Sequence, residues 1–172
     1  MPKQLITLTI NGERAEVAVE PRWTLLEMVR EALRFTGSKE GCGTGDCGAC
    51  SMILRGPFGS AQDRPQDEQG RLITSCLMLA AQADGCEITT IEGLATNGTL
   101  HPVQQAFIDT GGVQCGFCTP GMIMAAKSLL DRNPSPNIED VREGLAGNLC
   151  RCTGYAKIYE AVMRAATKTN AG

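Results

Sequence analysis

The chain opens on strict alternation: polar residues separate Ile6, Leu8 and Ile10, Asn11-Gly12 follows, and Ala15, Val17 and Val19 alternate again. Period-two runs flanking Asn-Gly predict a hairpin over residues 5 to 19, because that dipeptide accepts the positive φ values of a type I′ turn. Pro21 ends the second strand, and the period then lengthens. Thr24-Leu-Leu-Glu27 is a capping box, and Leu25, Leu26, Val29 and Leu33 share one face of a helix predicted through Arg34 and closed by Gly37. Cys50 to Arg55 and Arg71 to Thr74 resume strand character. Between them Gly56 to Gly70, rich in Gly, Pro and charge and without periodicity, predicts a long exposed hairpin loop. Ser75 to Ala83 is apolar and helix-compatible, and β-branched residues from Ile88 to Ile91 predict a last strand over Cys86 to Ile91.

Beyond residue 100 the period becomes about 3.6. Pro102 starts a helix to Asp109, stopped by Gly111-Gly112, and a second runs from Thr119-Pro120 to about Asp131 before Asn133-Pro-Ser-Pro. Asn137 caps a third, Ile138 to about Leu145, and a fourth spans Tyr155 to about Thr167. The fold class is therefore α+β. Residues 1–92 are expected to form a β-grasp domain, a hairpin crossed by a helix, and residues 101–172 a small four-helix bundle, with 93–100 as linker.

Composition changes this picture at two points. Nine cysteines in a chain whose start, Met1-Pro2-Lys3-Gln4, has no signal-peptide character point to metal binding in a reducing, cytoplasmic setting rather than to a disulfide framework. A net charge of −3 with no basic block leaves no electrostatic stripe for nucleic acid, and no apolar run reaches the length of a membrane span.

The cysteines fall in two sets. Cys42, Cys47 and Cys50 have the Cys-x4-Cys-x2-Cys spacing that supplies three thiolates of a plant-type [2Fe-2S] cluster, and Cys76 can supply the fourth. The glycines threaded between them suit a loop that must wrap an anionic group with inward-pointing N–H groups. Gly43-x-Gly45-x-x-Gly48 also spells a dinucleotide fingerprint, but a helix precedes it and cysteines interrupt it, so nucleotide binding is discarded. The second set is Cys115-Gly-Phe-Cys118 and Cys150-Arg-Cys152, in loops between helices one and two and helices three and four. Two loops at one end of a bundle can meet. Zinc is the competing occupant; its sites more often use two Cys-x2-Cys pairs, so a Cys-x-Cys element favours iron–sulfur.

The chain resembles the small iron–sulfur subunit of the molybdenum hydroxylases, the family of xanthine dehydrogenase, aldehyde oxidoreductase and aerobic carbon monoxide dehydrogenase. Four stretches carry the resemblance: Glu40 to Cys50, Ser75-Cys76, Val113 to Gly121, and Gly147 to Tyr155. It implies two [2Fe-2S] clusters. The outer, on the first set, faces FAD in a medium partner subunit. The inner, on the second set, lies beside a molybdopterin cofactor in a large partner, which Gln114 and Cys152 approach. It further implies a dimer of heterotrimers and an electron-transfer role, with substrate chemistry elsewhere. A free-standing two-cluster ferredoxin and a zinc-stabilised adaptor are the alternatives. The 25 residues between Cys50 and Cys76 exceed the spacing in many single-chain members, and the excess falls in the 56–70 loop, where a partner contact rather than the cluster is expected to change.

Other conspicuous residues have plainer readings. Cys86, outside both sets, is expected as a buried hydrophobe, His101 as a helix cap or a solvated residue rather than a ligand, and Met52, Met78, Met122 and Met124 as core. Phe117 is expected to fill the space above the inner cluster. Arg151 could offset thiolate charge or point to solvent. Lys39 and Asp46 could be docking charges or ordinary surface charges.

Overall fold

The computed structural model describes residues 2–56 and 69–169. The hairpin forms as its pattern requires: β1 (Gln4–Ile10) and β2 (Glu13–Val19) pair antiparallel from Gln4↔Val19 to Ile10↔Glu13. Asn11 and Gly12 take φ of 53° and 85°. β3 (Ser51–Arg55), β4 (Arg71–Thr74) and β5 (Glu87–Thr89) complete a mixed five-stranded sheet in the order β2-β1-β5-β3-β4. The joint at its centre is parallel, Thr9↔Glu87 and Ile10↔Ile88, and it places the last strand beside the first. Asn11 fastens that joint, its Oδ1 accepting from Thr90 N–H at 2.9 Å and its Nδ2 donating to Thr90 Oγ1 at 3.0 Å.

The segment after β2 departs from the expected continuous helix. Thr24 and Glu27 form the capping box, but α1 (Leu25–Glu27) is a single turn that widens into a π-type turn over Met28–Ala32, and left-handed Arg34 (φ 65°) ends it. The buried face survives this widening: Leu25, Leu26, Met28 and Val29 pack with Ile6, Leu8, Val17, Met52, Leu54 and Ile88 in one core. Gly37 is not the terminator. Its amide meets Glu92 Oε1 at 2.7 Å, and an added Cβ would lie 2.3 Å from Ile91. Ser75 to Ala83 is likewise mostly turn, with a 3₁₀ turn only at Ala80–Ala83.

α2 (Pro102–Thr110), α3 (Thr119–Arg132), α4 (Ile138–Gly144) and α5 (Ala156–Thr169) share a second core of Phe107, Met122, Met124, Val141, Leu145, Ile158 and Val162. His101 caps α2 as expected, its Nδ1 accepting from Val103 N–H at 3.2 Å. The expected linker does not stand apart from the packing. It begins within a 3₁₀ turn (Ile91–Leu94), and Leu94 is buried in the helical core. β3 separates the cores: Met52 and Leu54 face the first while Ile53 faces the second, so the helices pack on the other face of the same sheet. The expected surface loop of residues 56–70 falls, but for its ends, outside the described residues. Among the described residues no helix is long and apolar enough to cross a membrane.

Candidate metal centres

The first cysteine loop is shaped by its backbone. Gly43, Gly45 and Gly48 all have positive φ, 67°, 84° and 66°, which turns successive N–H groups towards the sulfurs. Thr44 N–H donates to Cys42 Sγ at 3.4 Å. Thr44, first through its hydroxyl and then its N–H, with Cys47, pulls the Cys42 thiol down to about 6. Side chains are excluded at particular points of this loop: a Cβ on Gly41 would lie 2.7 Å from Cys47 Sγ, and one on Gly45 2.3 Å from Leu77.

Cys76 arrives from a distant segment that the first turn of α1 holds in place. Leu25 N–H donates to Met78 O at 2.7 Å and Leu26 N–H to Ser75 O at 3.2 Å, so the orphan donors of the helix start are satisfied by the residues flanking Cys76. Ser75 Oγ donates to Cys50 O at 2.7 Å. Cys76 Sγ then lies 3.3 Å from Cys50 Sγ. Burial, followed by the hydrogen bond with Cys50, pushes the Cys76 thiol up to about 12.

The second set assembles where the loop before α3 meets the loop before α5. Cys152 Sγ lies 3.6 Å from Cys115 Sγ, and Cys118 is hydrogen-bonded to Cys150. Burial, then that bond, raises Cys118 to about 12. Burial also opposes ionisation of Cys150, but the Thr153 hydroxyl and N–H and the Cys152 N–H outweigh it, and the net shift is downward. Cys152 is raised, chiefly by its bond with Cys115. Tyr155 Oη accepts from Cys150 N–H at 2.8 Å.

The sulfurs come as pairs, Cys42 with Cys47 and Cys50 with Cys76 in the first set, Cys115 with Cys152 and Cys118 with Cys150 in the second. Two thiolates on one tetrahedral metal with bonds of about 2.3 Å lie about 3.8 Å apart, close to the separations of Cys50 and Cys76 and of Cys115 and Cys152. Among the described residues no three Cys, His, Asp or Glu side chains converge as around a single ion. Pairs of thiolates suit a two-iron cluster, whose irons each take two protein ligands.

The groups are joined by a seam that nothing in the sequence announced. Leu149 N–H, one residue before Cys150, donates to Cys47 O at 2.9 Å. Buried Asn148 donates through Nδ2 to Gly48 O at 2.8 Å and to Ser51 Oγ at 3.3 Å. A Cβ on Gly121 would lie 2.2 Å from Gly48 O. Asn148 could have been suspected as an amide beside a cysteine motif, but only tertiary structure supplies its partner. Cys86 is buried in the first core outside both groups, and Met52, Met78, Met122 and Met124 are core, as expected. Phe117 departs from expectation. It is 48% exposed, and its ring edge lies near Gly41 of the first loop instead of filling a closed space. Lys39 Nζ donates to Thr36 O, Asp46 accepts from Thr44, and Arg151 is exposed.

Fold and thiol groups together define an iron–sulfur electron carrier with two centres. Residues 8–81 match the 2Fe-2S iron-sulfur cluster binding domain family, and residues 90–163 match the [2Fe-2S] binding domain family. The nicotinate dehydrogenase small FeS subunit of Eubacterium barkeri is 46% identical over 162 residues, covering 94% of each chain. The aldehyde oxidoreductase of Megalodesulfovibrio gigas is 42% identical over 95% of this chain, which spans 17% of that longer protein. The solved quinoline 2-oxidoreductase of Pseudomonas putida 86 superposes with a TM-score of 0.88 at 39% identity, over 100% of this chain and 99% of the matched one. The chain belongs to the iron–sulfur subunit family of the molybdenum hydroxylases, and it is the electron-transfer component of an oxidoreductase of that type.

Proposed function

We propose that Cys42, Cys47, Cys50 and Cys76 hold the outer [2Fe-2S] cluster and that Cys115, Cys118, Cys150 and Cys152 hold the inner one. The first set sits in a β-grasp domain (1–92), the second in a four-helix domain (101–172), and 93–100 connects them. The observation that carries this reading is the pairing of sulfurs within two groups that share the Leu149–Cys47 hydrogen bond. When bound, such clusters supply one-electron transfer. The chain's own residues hold the two groups in fixed relation, exclude side chains at particular points of the first loop, and set hydrogen bonds on the sulfurs.

Electrons enter from a large molybdopterin subunit at the second group and leave to a medium FAD subunit at the first. Gln114 and Cys152 approach the pterin. Both are exposed, and Val113, Phe117 and Leu149 in the same two loops are exposed apolar residues of the kind that a partner covers. The complex is a dimer of heterotrimers in the cytoplasm. The test is metal analysis of the complex purified from its host. Iron and acid-labile sulfide at about four each per chain, with molybdenum and flavin co-eluting, is the expected result. Zinc without sulfide overturns it, and a lone monomer carrying iron and sulfide would make the chain a free ferredoxin.

A further inference from the structure

Thr153 follows Cys152 within the stretch Gly147 to Tyr155 and has no part in the proposed ligand set. Its hydroxyl donates to Cys150 Sγ at 3.2 Å, while its oxygen accepts from Tyr155 N–H at 3.2 Å. That second bond exists because Gly154 and Tyr155 both take left-handed backbone, φ 62° and 68°. For tyrosine this conformation costs about 1–2 kcal/mol. The strained turn is held from both sides: Tyr155 Oη accepts from Cys150 N–H, and the Tyr155 ring stacks on Tyr159 with centroids 5.8 Å apart. The turn thus fills the acceptor side of the Thr153 oxygen with an N–H and leaves its proton directed at sulfur, an arrangement in which each bond polarises the next. Thr44 stands in a similar relation to Cys42, but its hydroxyl also donates to Asp46 Oδ2 at 2.7 Å, dividing one proton between two acceptors.

We propose that Thr153 is a positioning residue that sets the reduction potential of the inner site, its hydroxyl donating to the Cys150 sulfur and stabilising the reduced state. The inference rests on the ligand set proposed above. Reduction adds one electron to the site and breaks no bond; the negative charge on the thiolate sulfurs increases, so a donor hydrogen bond favours the reduced form more than the oxidised one. Thr153→Val keeps the shape and removes the donor, whereas Thr153→Ser keeps the donor.

The experiment is an EPR-monitored redox titration of the purified holo-complex with dithionite and mediators, together with iron content. In Thr153→Val the inner-site signal is expected to titrate at a more negative potential. Where the parent is half reduced, its reduced-to-oxidised ratio falls about fivefold. The outer-site signal stays in place, and Thr153→Ser titrates like the parent. An unmoved inner-site midpoint in a fully loaded Val variant, or an equal movement of both signals, overturns the proposal while leaving the ligand set intact. Retention of both signals in Cys150→Ser overturns the ligand set itself.

Discussion

Asn148 does with one carboxamide what the rest of the seam does with backbone. Its two N–H groups go to Gly48 O and Ser51 Oγ, and it is almost wholly buried. Asn148→Ala leaves the Gly48 carbonyl with the Ser51 donors alone and opens a gap between the two cysteine loops, so a loss of about 1–3 kcal/mol is expected from urea unfolding of the full chain. Gly121→Ala is expected to be worse than an ordinary surface change, because its methyl group would meet backbone, the Gly48 carbonyl, which cannot swing aside. His101 gives a pH dependence. Its Nδ1 must be unprotonated to cap α2, and burial, then the Lys127 charge, holds its pKa below the ordinary value against the opposing pull of Asp131. A depressed folded pKa means that the cap is intact above the unfolded value near 6.5 and is lost as pH falls through the folded one. The Val103 amide should therefore lose hydrogen-exchange protection as pH falls below the ordinary histidine range, and His101→Asn, which cannot protonate, should flatten that profile.

Most elements follow from periodicity and turn chemistry, and the exceptions share a cause. The hairpin, the caps at Thr24, His101 and Asn137, and the Gly111 stop were all readable because each depends on residues within a few positions. The helix after Thr24 was readable as a buried face but not as a π-type turn closed by left-handed Arg34, and its first N–H groups, those of Leu25 and Leu26, reach across to the Cys76 segment. The same contacts make α1 a positioning element for Cys76. Cys76→Ser is expected to remove one of two EPR signals while leaving the other, and loss of neither would show that Cys76 is not a ligand. Composition marked residues 93–100 as loop-like, whereas the packing of Leu94 into the helical core was not legible there.

For the whole molecule, the thiols link metal content to stability. Cys76 and Cys118, each raised to about 12, keep their protons in the metal-free fold while an unfolded thiol titrates near 9. Their contribution is present below pH 9 and fades as pH rises towards 12. The metal-free chain should accordingly show a lower urea midpoint at pH 10.5 than at pH 8, a decline that Cys76→Ser together with Cys118→Ser should reduce. The loaded protein should not follow it, because bound thiolates carry no proton to lose. By itself the sequence determined that eight of the nine cysteines fall in two spaced sets and that strands precede helices, since spacing and period are local properties. Tertiary structure alone decided that β5 pairs parallel with β1, that sulfurs group as Cys50 with Cys76 and Cys115 with Cys152, and that Asn148 closes the seam. These are contacts between residues far apart in the chain, and packing, which no local pattern encodes, selects among the partners that the same side chains could have taken.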